Sequence, residues 1–295
     1  MATRRKLNVL RLFPSLLRVD PKKLLLVSGW GLAVLLLGYG LSLARGYALH
    51  RLRADWDAIQ ISPQPPWLAV SIKRRALERS RVPRRFSLLE PELARRVAEA
   101  FSLEPWVRRV RGVQILRAGL IRVELDYREP VAVVQCKQRL LPVDRDGVVL
   151  PADEITASTL YPRVILRRCG RPPSAGLRWE SAAVQAAARV AAFLAPHIAR
   201  FQIVLIDATQ YRGDDPPTGP LLLETRGGTR IIWGRPPGTG YPGELAAEQK
   251  LQRLLDYAEQ FGSLEAPSGP YEIDVTRWTG MSRRLRSAEL WHPVN

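Results

Sequence analysis

Residues 105–131 read PWVRRVRGVQILRAGLIRVELDYREPV. Within them the hydrophobic spacing falls to a period of two. Ile121, Val123, Leu125 and Tyr127 alternate with Arg122, Glu124, Asp126 and Arg128, the pattern of a strand with one buried and one wet face. Val110 to Leu116 can pair with that strand through a turn at Ala118-Gly119. Upstream, Leu93, Val97 and Phe101 recur at helical spacing while Arg95, Arg96 and Glu99 fall on the other side. This predicts a helix over Pro91–Phe101, with Pro91 suited to its first turn. Earlier still, Trp67 to Ile72 (WLAVSI) reads as a strand, whereas Lys73 to Leu89 is Arg-rich and shows no tidy helix. Residues 67–130 therefore read as a small α+β unit.

Downstream of Pro130 a second run of strands begins. Val131–Val134, Leu140–Val143 and Val148–Leu150 are short apolar runs, the last two separated by an Asp146-Gly147 turn. Val164–Leu166, Gln202–Ile206 and Pro220–Glu224 read as further strands, and Gly227-Gly228 marks a hairpin into Arg230–Trp233. Ser181 opens a helix through Leu194, with Val184, Ala187, Ala191 and Leu194 on one face. Glu244–Phe261 is the clearest helix. Leu251, Leu254, Leu255, Ala258 and Phe261 form its apolar stripe, and Gly262 stops it. Tyr271–Val275 is the last expected strand, and the basic stretch 281–295 reads as a loose tail. The fold class is α+β, with a larger mixed α/β domain over 131–280 built on a mainly antiparallel sheet.

Leu24 to Ala44 (LLLVSGWGLAVLLLGYGLSLA) carries no charge and is long enough, as a helix, to cross a hydrocarbon core of about 30 Å. Seven basic residues precede it within residues 1–23 against the single acid Asp20. The asymmetry places the N-terminus in the cytoplasm and the bulk outside it. Ser42-Leu43-Ala44 would also serve as a signal-peptide cleavage site, but the apolar run exceeds the roughly 7–15 residues of such peptides. Residues 45–66 then read as a juxtamembrane connector ending in Ser62-Pro63-Gln64-Pro65-Pro66.

The net charge of +17 comes from Arg scattered along the chain, with only six Lys among 45 basic residues. Dedicated nucleic-acid surfaces cluster their charge, so no specific nucleic-acid partner is expected. Cys136 and Cys169 are either a disulfide or two free thiols. His50, His197 and His292 stand apart from one another and from acids at ligand spacing, and Asp144–Gly147 is a turn lacking the later ligands of a calcium loop. No phosphate loop, nucleophile elbow or paired-His motif occurs. We therefore expect no catalytic site, no metal and no cofactor.

The ordered series Pro105-Trp106-Val107, the strand from Val110, Val123 and Leu125, then Arg128-Glu129-Pro130-Val131-Ala132 resembles a POTRA domain of the FtsQ/DivIB cell division family. Pro142–Val149, Tyr161-Pro162-Arg163-Val164, Gly228–Arg235, Lys250–Leu255 and Ile273-Asp274-Val275 are similar to motifs of the FtsQ-like β domain, in the family's order. Thr276 stands where an Arg is usual, and Ala118-Gly119 where a proline is common. The resemblance implies a bitopic division protein that binds small FtsB- and FtsL-type membrane proteins by pairing its last strand with a partner strand. On that reading Tyr271, Ile273, Val275 and Trp278 border the partner site, and Arg277 faces an acidic partner; alternation alone makes Ile273 and Val275 core residues. Two other readings are a POTRA-type adaptor in extracytoplasmic protein assembly or secretion, and a membrane-anchored cell-wall enzyme.

Overall fold

The computed structural model describes residues 21–51, 53–116, 119–155, 161–214, 218–240 and 242–286. Residues 1–20 of the expected N-terminal tail (1–23), residues 287–295 of the expected C-terminal tail (281–295) and the turn residue Ala118 lie outside them. The chain is a mixed α/β fold whose sheets are mostly antiparallel.

Helix α1 (Pro21–Arg51) contains the whole apolar run, and side chains 29–44 are all exposed. The structure finds one helical run, Ala182–Phe201, that is long and apolar enough by composition to cross a membrane, among the residues whose side chains are described. Its face of Val184, Ala187, Val190 and Leu194 is nevertheless buried in the core.

The small unit starts earlier than expected. Residues 45–66, read as a connector, contain β1 (Arg53–Asp55) and β2 (Ile59–Ile61). β1 pairs with β3 (Arg85–Ser87), and β2 runs parallel to β5 (Ile121–Tyr127), which pairs antiparallel with β4 (Val107–Ile115). Ser62 secures the entry, its hydroxyl accepting from Leu125 N–H at 2.9 Å. The strand expected at 67–72 is instead a turn leading into α2 (Ile72–Arg79). Ser71 caps that helix, and the Gln64 amide donates to the Val70 carbonyl and accepts from Ile72 N–H, which closes the turn. Helix α3 (Leu93–Ser102) follows, and Leu93, Val97 and Phe101 are buried as their spacing required. The order of the small sheet is β2-β5-β4.

The larger sheet has eight strands in the order β13-β12-β11-β10-β9-β8-β6-β7. These are β6 (Pro130–Cys136), β7 (Arg139–Asp144), β8 (Arg163–Ile165), β9 (Ile203–Asp207), β10 (Leu221–Thr225), β11 (Arg230–Gly234), β12 (Tyr271–Asp274) and β13 (Ser282–Leu285). Val148–Leu150, expected as a strand, makes only single bridges, Val149 to Val143 and Val148 to Arg178. Helix α4 (Ala182–Leu194), capped by Ser181, crosses between the parallel strands β8 and β9; the short α5 (Ile198–Phe201) follows it. Helix α6 (Ala247–Phe261) lies between β11 and β12, which are also parallel, so a crossover is required there. Its Leu254 is fully buried, while Phe261 is 37% exposed. A disulfide joins Cys136 at the end of β6 to Cys169 beyond β8, with alpha carbons 5.4 Å apart.

The two units are bolted together. Leu150 is buried in the core of the small unit, and Gly176 packs on Pro105, where a Cβ would lie 3.4 Å from its alpha carbon. Glu104, 1% exposed at its side chain, accepts from Arg75 (2.7 Å) and Arg79 (3.2 Å). Arg75 also pairs with Glu154 of the larger unit, and Trp106 Nε1 donates to the same carboxylate at 2.6 Å. Arg128 adds a 2.6 Å pair with buried Asp144.

Candidate functional site

The C-terminal edge of the eight-stranded sheet differs from the expectation by one strand. β12 is not an edge. Ile273 pairs with Ile231 of β11 on one side and with Arg283 of β13 on the other. Tyr271, Ile273 and Val275 are buried, so these three expected contact residues belong to the core. Trp278 is 62% exposed, and Arg277 is exposed but tied to Asp274 at 3.1 Å. The backbone of this loop is held from below, because Arg253 donates to the carbonyls of Arg277 (2.6 Å) and Trp278 (3.3 Å).

The outermost strand is β13, all four residues of which are exposed. No apolar face holds it. Arg283 lies over the rings of Tyr271, Tyr257 and Phe261, and its Nη1 donates to the Tyr257 hydroxyl at 2.5 Å. That hydrogen bond makes the guanidinium more basic than usual. The Tyr257 hydroxyl in turn donates to the Ala266 carbonyl, so the latch is anchored in α6 and the loop beyond it. Arg284 pairs with Glu272 at 2.5 Å, and Arg286 donates to the Gly228 carbonyl at 2.6 Å. The Arg286 backbone N–H reaches the Pro270 carbonyl at 3.0 Å. The outer side of β13 pairs with no strand among the described residues.

The opposite edge is closed. β7 contains Pro142, which has no N–H to offer a partner, and the returning chain uses the Pro142 carbonyl for Leu150 N–H at 2.8 Å. Asp144 N–H is taken by the Val148 carbonyl at 3.0 Å. In the small sheet, edge strand β4 carries two register shifts and presents Arg109 and Arg111, both paired with Asp126. Those pairs hold the Asp126 carboxyl below the usual range. Bulges and charges are the ordinary guards of an exposed edge.

Beneath the β11 end of the sheet sits a buried cation. Lys250 is 2% exposed, pairs with Glu244 and donates to the Trp233 carbonyl at 2.9 Å. Burial lowers its pKa, against the pull of Glu244. Glu244 also accepts from Arg235 N–H at 2.7 Å, which makes the group a clamp on the turn after β11. Among the described residues, no group of three or more His, Cys, Asp or Glu side chains lies together as metal ligands would.

Sequence reasoning missed β13 because Ser282-Arg283-Arg284-Leu285 has no alternation to read. The usable signal was Tyr257, Phe261 and Tyr271 awaiting a cation, visible only once the helix and strand are adjacent. No protein-family model matches this chain, and no curated protein matches it in sequence.

Proposed function

We propose that the chain is a single-pass, extracytoplasmic scaffold of the bacterial division site, of the FtsQ/DivIB type, which binds small FtsB- and FtsL-like membrane proteins by strand addition. The observation that carries this reading is the asymmetry of the large sheet: one end is closed by Pro142 and a returning loop, while at the other β13 has no outer neighbour among the described residues. An open strand edge offers a row of backbone donors and acceptors to an extended partner. The partner edge is thus β13, bordered by Trp278 and by Arg277 and Arg284, rather than β12.

Two further features support it. The small unit runs β2, α2, β3, α3, β4, β5 with β5 in the middle of its three-stranded sheet; apart from the short β3, which pairs with β1, this resembles the order of a POTRA domain. The uncharged run 24–44 lies within a helix whose described side chains are exposed, the state of a helix that meets lipid rather than protein. A fluorescent fusion to the N-terminus, imaged in dividing cells of the host, tests the reading. A sharp band at the division plane is expected; uniform membrane labelling throughout the cell cycle would overturn it.

A further inference from the structure

The larger unit also holds a cavity of about 300 Å³ lined by Leu166, Arg167, Arg168, Ala183, Ala208, Tyr211 and Arg212. Its position follows from the topology. β8 and β9 are parallel neighbours, Ile165 opposite Asp207, and α4 is the crossover between them. The loops leaving the two strands therefore emerge side by side, with Ala208 N–H donating to the Ile165 carbonyl at 3.0 Å. The crevice beyond the carboxyl ends of parallel strands is where α/β sheets commonly take ligands.

The walls are fixed. Cys169, directly after Arg168, is tied to β6 by the disulfide. Gly213, directly after Arg212, lies against the start of α4, so close that a Cβ there would meet the Ala182 Cβ at 2.2 Å. Three of the lining residues are arginines and none is acidic. Arg167 and Arg168 are exposed and make no ion pair or hydrogen bond among the described residues. Arg212 is engaged only weakly, donating to the Thr209 carbonyl at 3.4 Å. Tyr211, 5% exposed, closes one wall with its ring, and its phenol lies toward Arg189, Arg235 and Glu244 rather than toward the three arginines.

We propose that this cavity is a phosphate-binding site, in which the Arg167, Arg168 and Arg212 guanidiniums take the phosphate oxygens. Guanidinium forks match phosphate geometry and bind it through paired, charge-assisted hydrogen bonds. The phosphate comes either from a soluble compound or from the headgroup of an anionic lipid. This site is separate from the β13 edge, and it stands or falls independently of the division reading.

Calorimetric titration of the full-length protein in detergent micelles, at physiological salt, tests it with two probes: inorganic pyrophosphate, and monomeric short-chain phosphatidylglycerol. One probe molecule should bind per chain, and Arg167→Gln/Arg168→Gln should weaken it roughly tenfold or more. The control Arg200→Gln, an exposed arginine on α5, should leave it unchanged. Tighter binding of the lipid, displaced by pyrophosphate, names the headgroup as the source; binding of pyrophosphate alone names a soluble phosphate. Failure of both probes to saturate, or equal weakening by Arg200→Gln, would overturn the site.

Discussion

The Arg283 guanidinium carbon lies 4.7 Å from the ring centroid of Tyr271, one strand inward. The contact joins the open outer strand to the buried one it covers, and it stands in place of the apolar packing that β13 lacks. A strand held by cation–ring contacts and edge hydrogen bonds is ordered without being deeply anchored. That condition is the one the strand-addition proposal requires of β13.

The latch makes a direct prediction. Arg283→Gln keeps a polar side chain but removes the charge over Tyr271, Tyr257 and Phe261. Amide hydrogens of residues 282–285 should exchange faster, while β9, β10 and β11 keep their protection. Unchanged exchange in 282–285 would show that the backbone ladder alone holds β13.

A buried carboxylate, Glu104, orients the Arg75 guanidinium that reaches across to the larger unit. Replacing Glu104 with Gln leaves Arg75 with Glu154 alone and strips Arg79 of its partner. Breaking a buried pair from one side should lower stability by about 3 kcal/mol in chemical denaturation. A loss no larger than that of an exposed pair, such as Arg95 with Glu99 on α3, would contradict the role given to Glu104.

The disulfide closes a loop across a sequence separation of 33 residues. Constraining such a loop in the unfolded chain stabilises the fold by about 3–4 kcal/mol on the loop-entropy account. Replacing both Cys136 and Cys169 with Ala should cost about that much, and the wild-type protein under strong reductant should match the double variant. Equal stability of the wild type with and without reductant would contradict it.

Alkaline stability should report on Tyr127. Burial pushes its phenol up to about 12 from the ordinary 10.0, and its hydroxyl donates to the Ser62 carbonyl at 2.8 Å. Because the folded value is raised, the contribution is fully present below pH 10 and is lost as pH climbs through about 12. Tyr127→Phe should cost about 1 kcal/mol at neutral pH through the lost hydrogen bond. Its decline in stability above pH 10 should be shallower than the wild type's, though Tyr161 and Tyr211, also raised by burial, keep part of it. Parallel declines in the two proteins would count against the assignment.

Elements with a strong apolar period were legible in the sequence. Ser181 and the spacing of Val184, Ala187, Ala191 and Leu194 placed α4, and Gly227-Gly228 placed the β10–β11 hairpin. Elements stabilised by something other than a periodic apolar face were not. β2 contributes only Ile59 fully to the core and is fixed by pairing with a strand sixty residues away. Helix α2 has two turns, in which Arg75 faces inward to carboxylates from distant segments. β13 depends on aromatic rings that two separate segments, α6 and β12, bring together only after folding. The expected contact residues divided on the same ground: alternation correctly made Ile273 and Val275 core residues, and it could not show that a further strand covers them.

The most direct test of strand addition is photo-crosslinking from the open edge in dividing cells of the host. A photoreactive residue at Leu285, which is 65% exposed on β13, should yield one adduct with a small single-pass membrane protein. The same residue at Leu140, on the closed edge strand β7, should yield none. No adduct from 285, or the same adducts from both positions, would contradict the account.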